Sequence, residues 1–298
     1  MPYLGAHLSI AGGLPRAVER AVVSGCESLQ IFTKSVGQWR ARTLDEPEVQ
    51  AFREGVTRAR LRAVVAHASY LVNIASVNPT LRAQSMHALA EEIDRAERLG
   101  LLGLVMHPGS GTEAEGLPRI ADALSTLLTA AARRRGKTLV ILEHTAGQGS
   151  NLGWRFEHLA TILKLMPSAA RARVGVCLDT CHLVASGYNI ATREGYRDTF
   201  RQFDTLIGLE RLKVFHLNDS KKPCASRVDR HEHIGQGCVG LDAFARILND
   251  RRFAKLPMVI ETEKDPKSDR ATRAIQIDPF DEMNLTTLRG LLRRRSAR

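Results

Sequence analysis

Residues 4–6, 29–32, 63–66, 102–106, 139–142, 174–178, 214–217 and 258–260 are short apolar runs, eight in all. Runs of this length with little polar alternation suit strands covered on both faces. Between them the apolar positions fall at helical spacing, with punctuation at the ends. Asp45 and Glu48 have the spacing of a capping box, with Pro47 in the first turn. Asn78 and Pro79 open a long amphipathic stretch through Leu81, Leu89, Ile93 and Leu99, and Gly100 stands where a left-handed residue would end it. Gly136 after 121–135 and Pro167 after 156–166 predict two more helix ends.

Strand followed by helix, repeated, points to a parallel sheet. A doubly wound open sheet is the alternative that periodicity leaves open, and the count of eight favours a closed (β/α)8 TIM barrel. At 298 residues the chain has the length of one such barrel with loop insertions, and no linker, composition shift or low-complexity tract divides it. Residues 1–298 are therefore expected to form a single domain whose active site lies at the C-terminal rim of the strands.

Composition changes this picture little, and charge adds a partner. The residues are 44% apolar and 25% charged, ordinary for a globular protein. A net charge of +11 would draw the chain to a polyanion, although it would equally serve solubility. No stretch approaches the roughly 20 apolar residues of a membrane span, and residues 1–20 lack a continuous apolar signal core, so a soluble cytoplasmic protein is expected. The five cysteines, Cys26, Cys177, Cys181, Cys224 and Cys238, are odd in number and lack paired spacing, and read as reduced thiols.

The chemistry is positional. His7, His67, His107, Glu143, Asp179, His216 and Glu261 each follow or close an apolar run. In a barrel these positions converge on one rim. A lone histidine at a strand end is more often a satisfied rim or core residue, but so many equivalent positions argue for a metal site, and imidazole with carboxylate suits zinc, with manganese or iron as substitutes. Asp179 and His182 lie three residues apart just past a strand, and Asp229 and His231 flank Arg230 so that an extended loop would present both on one side. With the rim set, these pairs offer ligands for three ions rather than one. The glycines Gly147, Gly149 and Gly153 do not match the dinucleotide fingerprint and read as a tight loop.

At these residues the sequence resembles the endonuclease IV family, from Gly5 to about Glu261. The matching strings are GAHLSIAGG, FTKS with QWR, HASYLVN, HPGS, TAGQGSNLG after Glu143, VGVCLDTCH, HLNDSK, SRVDRH and the Glu261-Thr262 strand end. The resemblance implies a three-zinc centre. His67, His107 and Glu143 would hold the first ion; Glu143, as a bridge, with Asp179, His216 and Glu261 the second; His182, Asp229 and His231 the third. It implies hydrolysis of the phosphodiester on the 5′ side of an abasic site in double-stranded DNA, leaving a 3′-hydroxyl and a 5′-deoxyribose phosphate, with trimming of blocked 3′ ends. Glu261 and Glu143 are the catalytic candidates, Glu261 as the residue that orients or deprotonates the nucleophile.

Tyr70 and Leu71 match the residues that enter the DNA at the lesion; otherwise they would simply pack under their loop. Two positions depart from the pattern: Gly37 stands where relatives carry an arginine that enters the DNA, and His144 stands where asparagine is common. His87 and His158 are expected on helix surfaces, Trp39 and Trp154 as packing residues, and residues 291–295 as a helix end stabilised by cations. A monomer is expected. A sugar isomerase or epimerase on the same barrel is the rival enzyme class, disfavoured by the Asp229, His231 and His182 set, by Tyr70-Leu71 and by the basic charge. A non-catalytic DNA-binding scaffold would leave the ligand set without purpose.

Overall fold

A computed structural model describes residues 1–133, 136–266, 268 and 275–293. Each apolar run becomes a strand and each intervening amphipathic stretch at least one helix. The order is β1 (Tyr3–His7), α1 (Leu14–Val23), β2 (Ser28–Phe32), α2 (Glu46–Ala59), β3 (Ala63–His67), α3 (Pro79–Leu99), β4 (Gly103–Met106), α4 (Glu113–Arg133) and β5 (Leu139–Glu143). It continues with α5 (Phe156–Leu165), α6 (Ser168–Arg171), β6 (Val174–Asp179), α7 (Thr180–Ser186), α8 (Arg193–Leu206) and β7 (Leu212–His216). The last elements are β8 (Asp219–Ser220), β9 (His231–Glu232), α9 (Leu241–Asn249), β10 (Pro257–Ile260) and α10 (Pro279–Leu291).

Eight strands close into a parallel barrel in the order β1-β10-β7-β6-β5-β4-β3-β2, which excludes the open sheet. The short antiparallel pair β8 and β9 stands apart from it. Inside the barrel, Val65, Val105, Ile141, Cys177 and Val214 form their own small buried cluster. The larger core lies between strands and helices and includes Phe52, Phe156, Phe200, Phe215 and Phe244. Gly5 on β1 is required by the close approach of β2: a Cβ there would sit 1.9 Å from the Ser28 carbonyl oxygen.

The element ends follow the local chemistry, with some corrections. Asp45 caps α2 by accepting from Glu48 N at 2.8 Å, but Glu48 does not return the bond. Its carboxylate instead takes Leu14 N at 3.2 Å and Arg42 at 2.6 Å, tying α2 to the start of α1, so the capping box is half formed. Asn78 accepts from Thr80 N and Leu81 N, and Gly100 ends α3 at φ 72°. Leu102 falls outside β4 and is exposed. The seventh strand begins two residues before its apolar run, because Lys213 breaks the pattern while buried Leu212 pairs with Val176 of β6. The end of the helix expected over 121–135 lies partly outside the described residues, as do Arg294 and Arg295 of the basic C-terminal segment.

Candidate metal centre

Strand parity builds the site. Side chains two apart on a strand share a face, so the inward layer of Val65, Val105, Ile141, Cys177 and Val214 is followed on that face by His67, His107, Glu143, Asp179 and His216. Gly5, Ser28 and Val259 are followed in the same way by His7, Gln30 and Glu261.

Glu143 is fully buried at the centre. Its Oε2 lies 3.0 Å from His67 Nε2 and 3.4 Å from His107 Nε2, and its Oε1 lies 3.0 Å from His216 Nδ1. Glu261 Oε2 approaches that same His216 Nδ1 at 3.0 Å. His67 Nδ1 donates to its neighbour's carbonyl, Ala68 O, at 2.7 Å, which leaves Nε2 as the ring nitrogen that faces the carboxylate. Asp179 is held by His182 N at 2.9 Å and Asn218 Nδ2 at 2.6 Å.

The outer part comes from α7 and the segment leading into β9. His182 Nδ1 donates to His144 O at 2.8 Å, so its Nε2 points outward to Asp229 Oδ2 at 3.1 Å. His231 Nε2 lies 3.4 Å from Asp229 Oδ1 and 3.7 Å from Asp179 Oδ2. Neither Nε2 atom makes a hydrogen bond among the described residues, although both atoms are buried. Buried imidazole nitrogens aimed at carboxylates without a hydrogen bond are what a cation between them would require.

The electrostatics agree. Burial opposes charge on Glu143 and Glu261, yet the surrounding histidines hold both carboxyls well below their ordinary range. Burial likewise opposes charge on His182, but Asp179 and Asp229 hold its proton well above the usual value. Asp229 resists burial through His182 and His231 and is lowered to about 2. Protons thus occupy places that divalent cations can take. Three sets each bring one donor atom per residue within 4.8 Å of the others: His67, His107 and Glu143; Glu143, Asp179, His216 and Glu261; and His182, Asp229 and His231. Cys181 with Asp179 and His231 meets the same distance, but burial pushes its thiol pKa up, and Sγ lies 3.6 Å from Arg230 O.

All nine residues expected as ligands therefore gather at the rim. Tyr70 stands at the lip, 59% exposed, with its ring 5.2 Å from that of His67 and 5.8 Å from that of His107. Leu71 beside it is half-buried. His144 meets the third donor set through its backbone carbonyl, which accepts from His182 Nδ1, while its own Nε2 donates to Trp154 O at 2.9 Å and its ring packs against Phe156 and Tyr188. Trp39 packs on the core and Trp154 carries the Arg227 guanidinium 4.0 Å above its ring. His87 is exposed as expected, but His158 is buried. It accepts from Gly153 N at 3.1 Å and faces Glu113 at 3.1 Å, pinning the loop before α5, a tertiary role that helix position alone does not reveal. His233 Nδ1 accepts from Asn284 of α10.

Sequence reasoning missed three buried residues. Gln30 touches His7, His216 and Glu261. Asn218 holds the Asp179 carboxylate and receives Glu261 N at 2.7 Å. Asp219 accepts Ser220 N, Gly235 N and Val239 N, and so shapes the long loop that carries Asp229 and His231. Strand parity could have found Gln30.

The family model described as "Xylose isomerase-like TIM barrel" matches residues 18–277. The "Probable endonuclease 4" of Chloroflexus aurantiacus is 47% identical over 295 residues, covering 98% of this chain and 99% of the relative. The crystal structure of endonuclease IV from Thermus thermophilus superposes with a TM-score of 0.83 at 36% identity, covering 97% of this chain and 98% of that one. The chain belongs to the endonuclease IV family. As an endonuclease IV it is a nuclease and a hydrolase, of a family that depends on metal. D-psicose 3-epimerase from Clostridium cellulolyticum shares only the fold, with a TM-score of 0.67 at 13% identity, covering 97% of this chain and 99% of the epimerase. No helix among the described residues of this endonuclease IV is long and apolar enough to cross a membrane.

Proposed function

We propose that this endonuclease IV repairs DNA by hydrolysing the phosphodiester on the 5′ side of abasic sites, leaving a 3′-hydroxyl and a 5′-deoxyribose phosphate, and that it also trims blocked 3′ ends. The observation that carries this reading is the union of three neighbouring donor sets with an exposed aromatic lip at Tyr70.

The centre would hold three zinc ions, for which manganese or iron could substitute: one on His67, His107 and Glu143, one on Glu143, Asp179, His216 and Glu261, and one on His182, Asp229 and His231. Bound zinc supplies Lewis-acid chemistry, lowering the pKa of water toward neutrality and offsetting charge that develops on phosphate oxygens.

The chain's own residues set the geometry. Glu143 turns one oxygen to His67 and His107 and the other to His216, so one rigid carboxylate fixes the spacing of two sets. Glu261 has one oxygen held by the Gln30 amide and the other turned to the centre, the placement needed to orient a nucleophilic water and accept its proton. Tyr70 and Leu71 enter the duplex at the lesion and hold the abasic nucleotide out of the stack, bringing its phosphate to the rim. The protein is a monomeric single domain spanning residues 1–298 that works in the cytoplasm on double-stranded DNA.

The test is cleavage of a duplex with one tetrahydrofuran abasic analogue, labelled at its 5′ end, before and after metal removal and zinc resupply. The analogue is inert to β-elimination, so a zinc-restored cut leaving a 3′-hydroxyl is expected. A folded protein that makes no cut with zinc or manganese refutes the reading, and sugar epimerisation becomes the activity to assay.

A further inference from the structure

Gln30 is fully buried on β2, inside the barrel, between two residues of the second donor set. A buried primary amide must satisfy a carbonyl oxygen and two N–H hydrogens. Gln30 Oε1 lies 2.8 Å from His216 Nε2, and Gln30 Nε2 lies 2.5 Å from Glu261 Oε1 and 3.0 Å from His7 Nδ1.

The amide has one workable orientation. Reversed, its oxygen would stand 2.5 Å from a carboxylate oxygen. In the orientation shown, every group is matched, and each match fixes something at the centre. Oε1 can only accept, so His216 must carry its hydrogen on Nε2. Nδ1 of His216 is then the nitrogen left for a cation to take in place of a proton, and it faces Glu143 Oε1 and Glu261 Oε2, both at 3.0 Å. One amide N–H holds Glu261 Oε1, which leaves Oε2 as the oxygen on the side of His216 Nδ1. The other N–H engages His7 Nδ1, so His7 is held as an acceptor beside Glu261 rather than competing for the centre.

We infer that Gln30 is the positioning residue of the second ion: it selects the His216 tautomer and divides the two oxygens of Glu261, one anchored and one free to ligate. It touches no ion itself. The inference rests on the three-ion reading above and adds to it a residue outside all three donor sets. The carboxylates that hold imidazole ligands in place elsewhere in metal enzymes do the same work, and their loss lowers metal affinity by about 10–100-fold.

The experiment measures zinc directly. Wild type, Gln30→Met and Gln30→Glu are loaded with zinc, and retained equivalents are followed by elemental analysis against increasing chelator, with melting of the metal-free proteins as a folding control. Methionine keeps the volume and removes all three polar contacts. Glutamate keeps the acceptor for His216 Nε2 but places a second carboxylate oxygen against Glu261. The expected result is that one of three equivalents leaves Gln30→Met at chelator concentrations roughly 10–100-fold lower than in wild type, while the other two are unchanged. Gln30→Glu should lose the same equivalent.

Three equivalents with wild-type chelator resistance in Gln30→Met overturn the inference and leave the three-ion reading standing. A wild-type chain that binds no ion through Glu143, Asp179, His216 and Glu261 overturns both. Equal weakening of all three equivalents, together with a lower melting temperature of the metal-free variant, makes Gln30 a general packing residue and also overturns the inference.

Discussion

Replacing Lys34 by methionine should destabilise two loops beside the centre through one buried contact. Lys34 is 6% exposed; its Nζ donates to Trp39 O at 2.8 Å and lies 3.5 Å from Glu92 Oε1 on α3. Glu92 is fully buried and also accepts Ser69 N at 3.2 Å. Ser69 Oγ in turn donates to Val36 O at 2.7 Å, so the segment carrying Gly37 and the one carrying Tyr70 are bound to each other and to α3. Losing one partner of a buried ion pair costs about 3–5 kcal/mol. Glu92 keeps the Ser69 N–H and can take up a proton, which reduces the expected loss to about 2 kcal/mol, or roughly 5 °C of melting temperature.

The pH dependence separates this from a packing effect. Burial raises the Glu92 carboxyl above its ordinary value even with Lys34 present, and removing Lys34 raises it further. A carboxyl with a raised folded-state pKa binds more protons folded than unfolded, so its stability contribution falls as pH rises from the unfolded value toward the folded one. The deficit of Lys34→Met should therefore be smaller near about pH 5 than near about pH 8. Urea unfolding of both proteins at the two pH values measures it, and Lys34→Met/Glu92→Leu should recover part of the loss because no charge is left buried alone. A single-variant deficit below about 0.5 kcal/mol, or one independent of pH, refutes the reasoning.

Two other perturbations probe neighbouring features. Glu97 accepts Lys137 N and Thr138 N, each at 2.7 Å, and these donors hold its pKa below the ordinary value although burial pushes the other way. Glu97→Gln should cost about 1 kcal/mol near neutral pH, after discounting for partial exposure, and the difference should vanish as acid protonates the native carboxylate; a deficit that persists in acid in urea titrations contradicts this. A Cβ at Gly37 would meet nothing within 4 Å, so Gly37→Arg should fold as wild type and supply the cation that the resemblance to endonuclease IV leads one to expect there. A contact of about 1 kcal/mol would tighten binding to an abasic duplex roughly fivefold by fluorescence anisotropy, and unchanged affinity would place the residue 37 side chain away from the DNA.

The grouping of the candidate donors came from the resemblance, yet strand order alone could have given part of it. His67, His107 and Glu143 end or follow β3, β4 and β5, which are neighbours in the barrel. Glu143, Asp179 and His216 close β5, β6 and β7, and Glu261 follows β10, again in unbroken order, so strand adjacency makes Glu143 the residue both sets share. Parity would have extended that reading to Gln30, but its amide sits inside an apolar run where a polar letter looks like an interruption. His182, Asp229 and His231 are different. Their approach depends on the His144 carbonyl, the amides gathered by Asp219 and the hairpin of β8 and β9, none of which has a periodic signal. The same division explains His158, whose helix position suggested the surface while its ring was needed by the Gly153 amide. In a parallel barrel, strand order and period 2 assign the inner ligands, and the outer set awaits the loops, where side chains and backbone share the bonding.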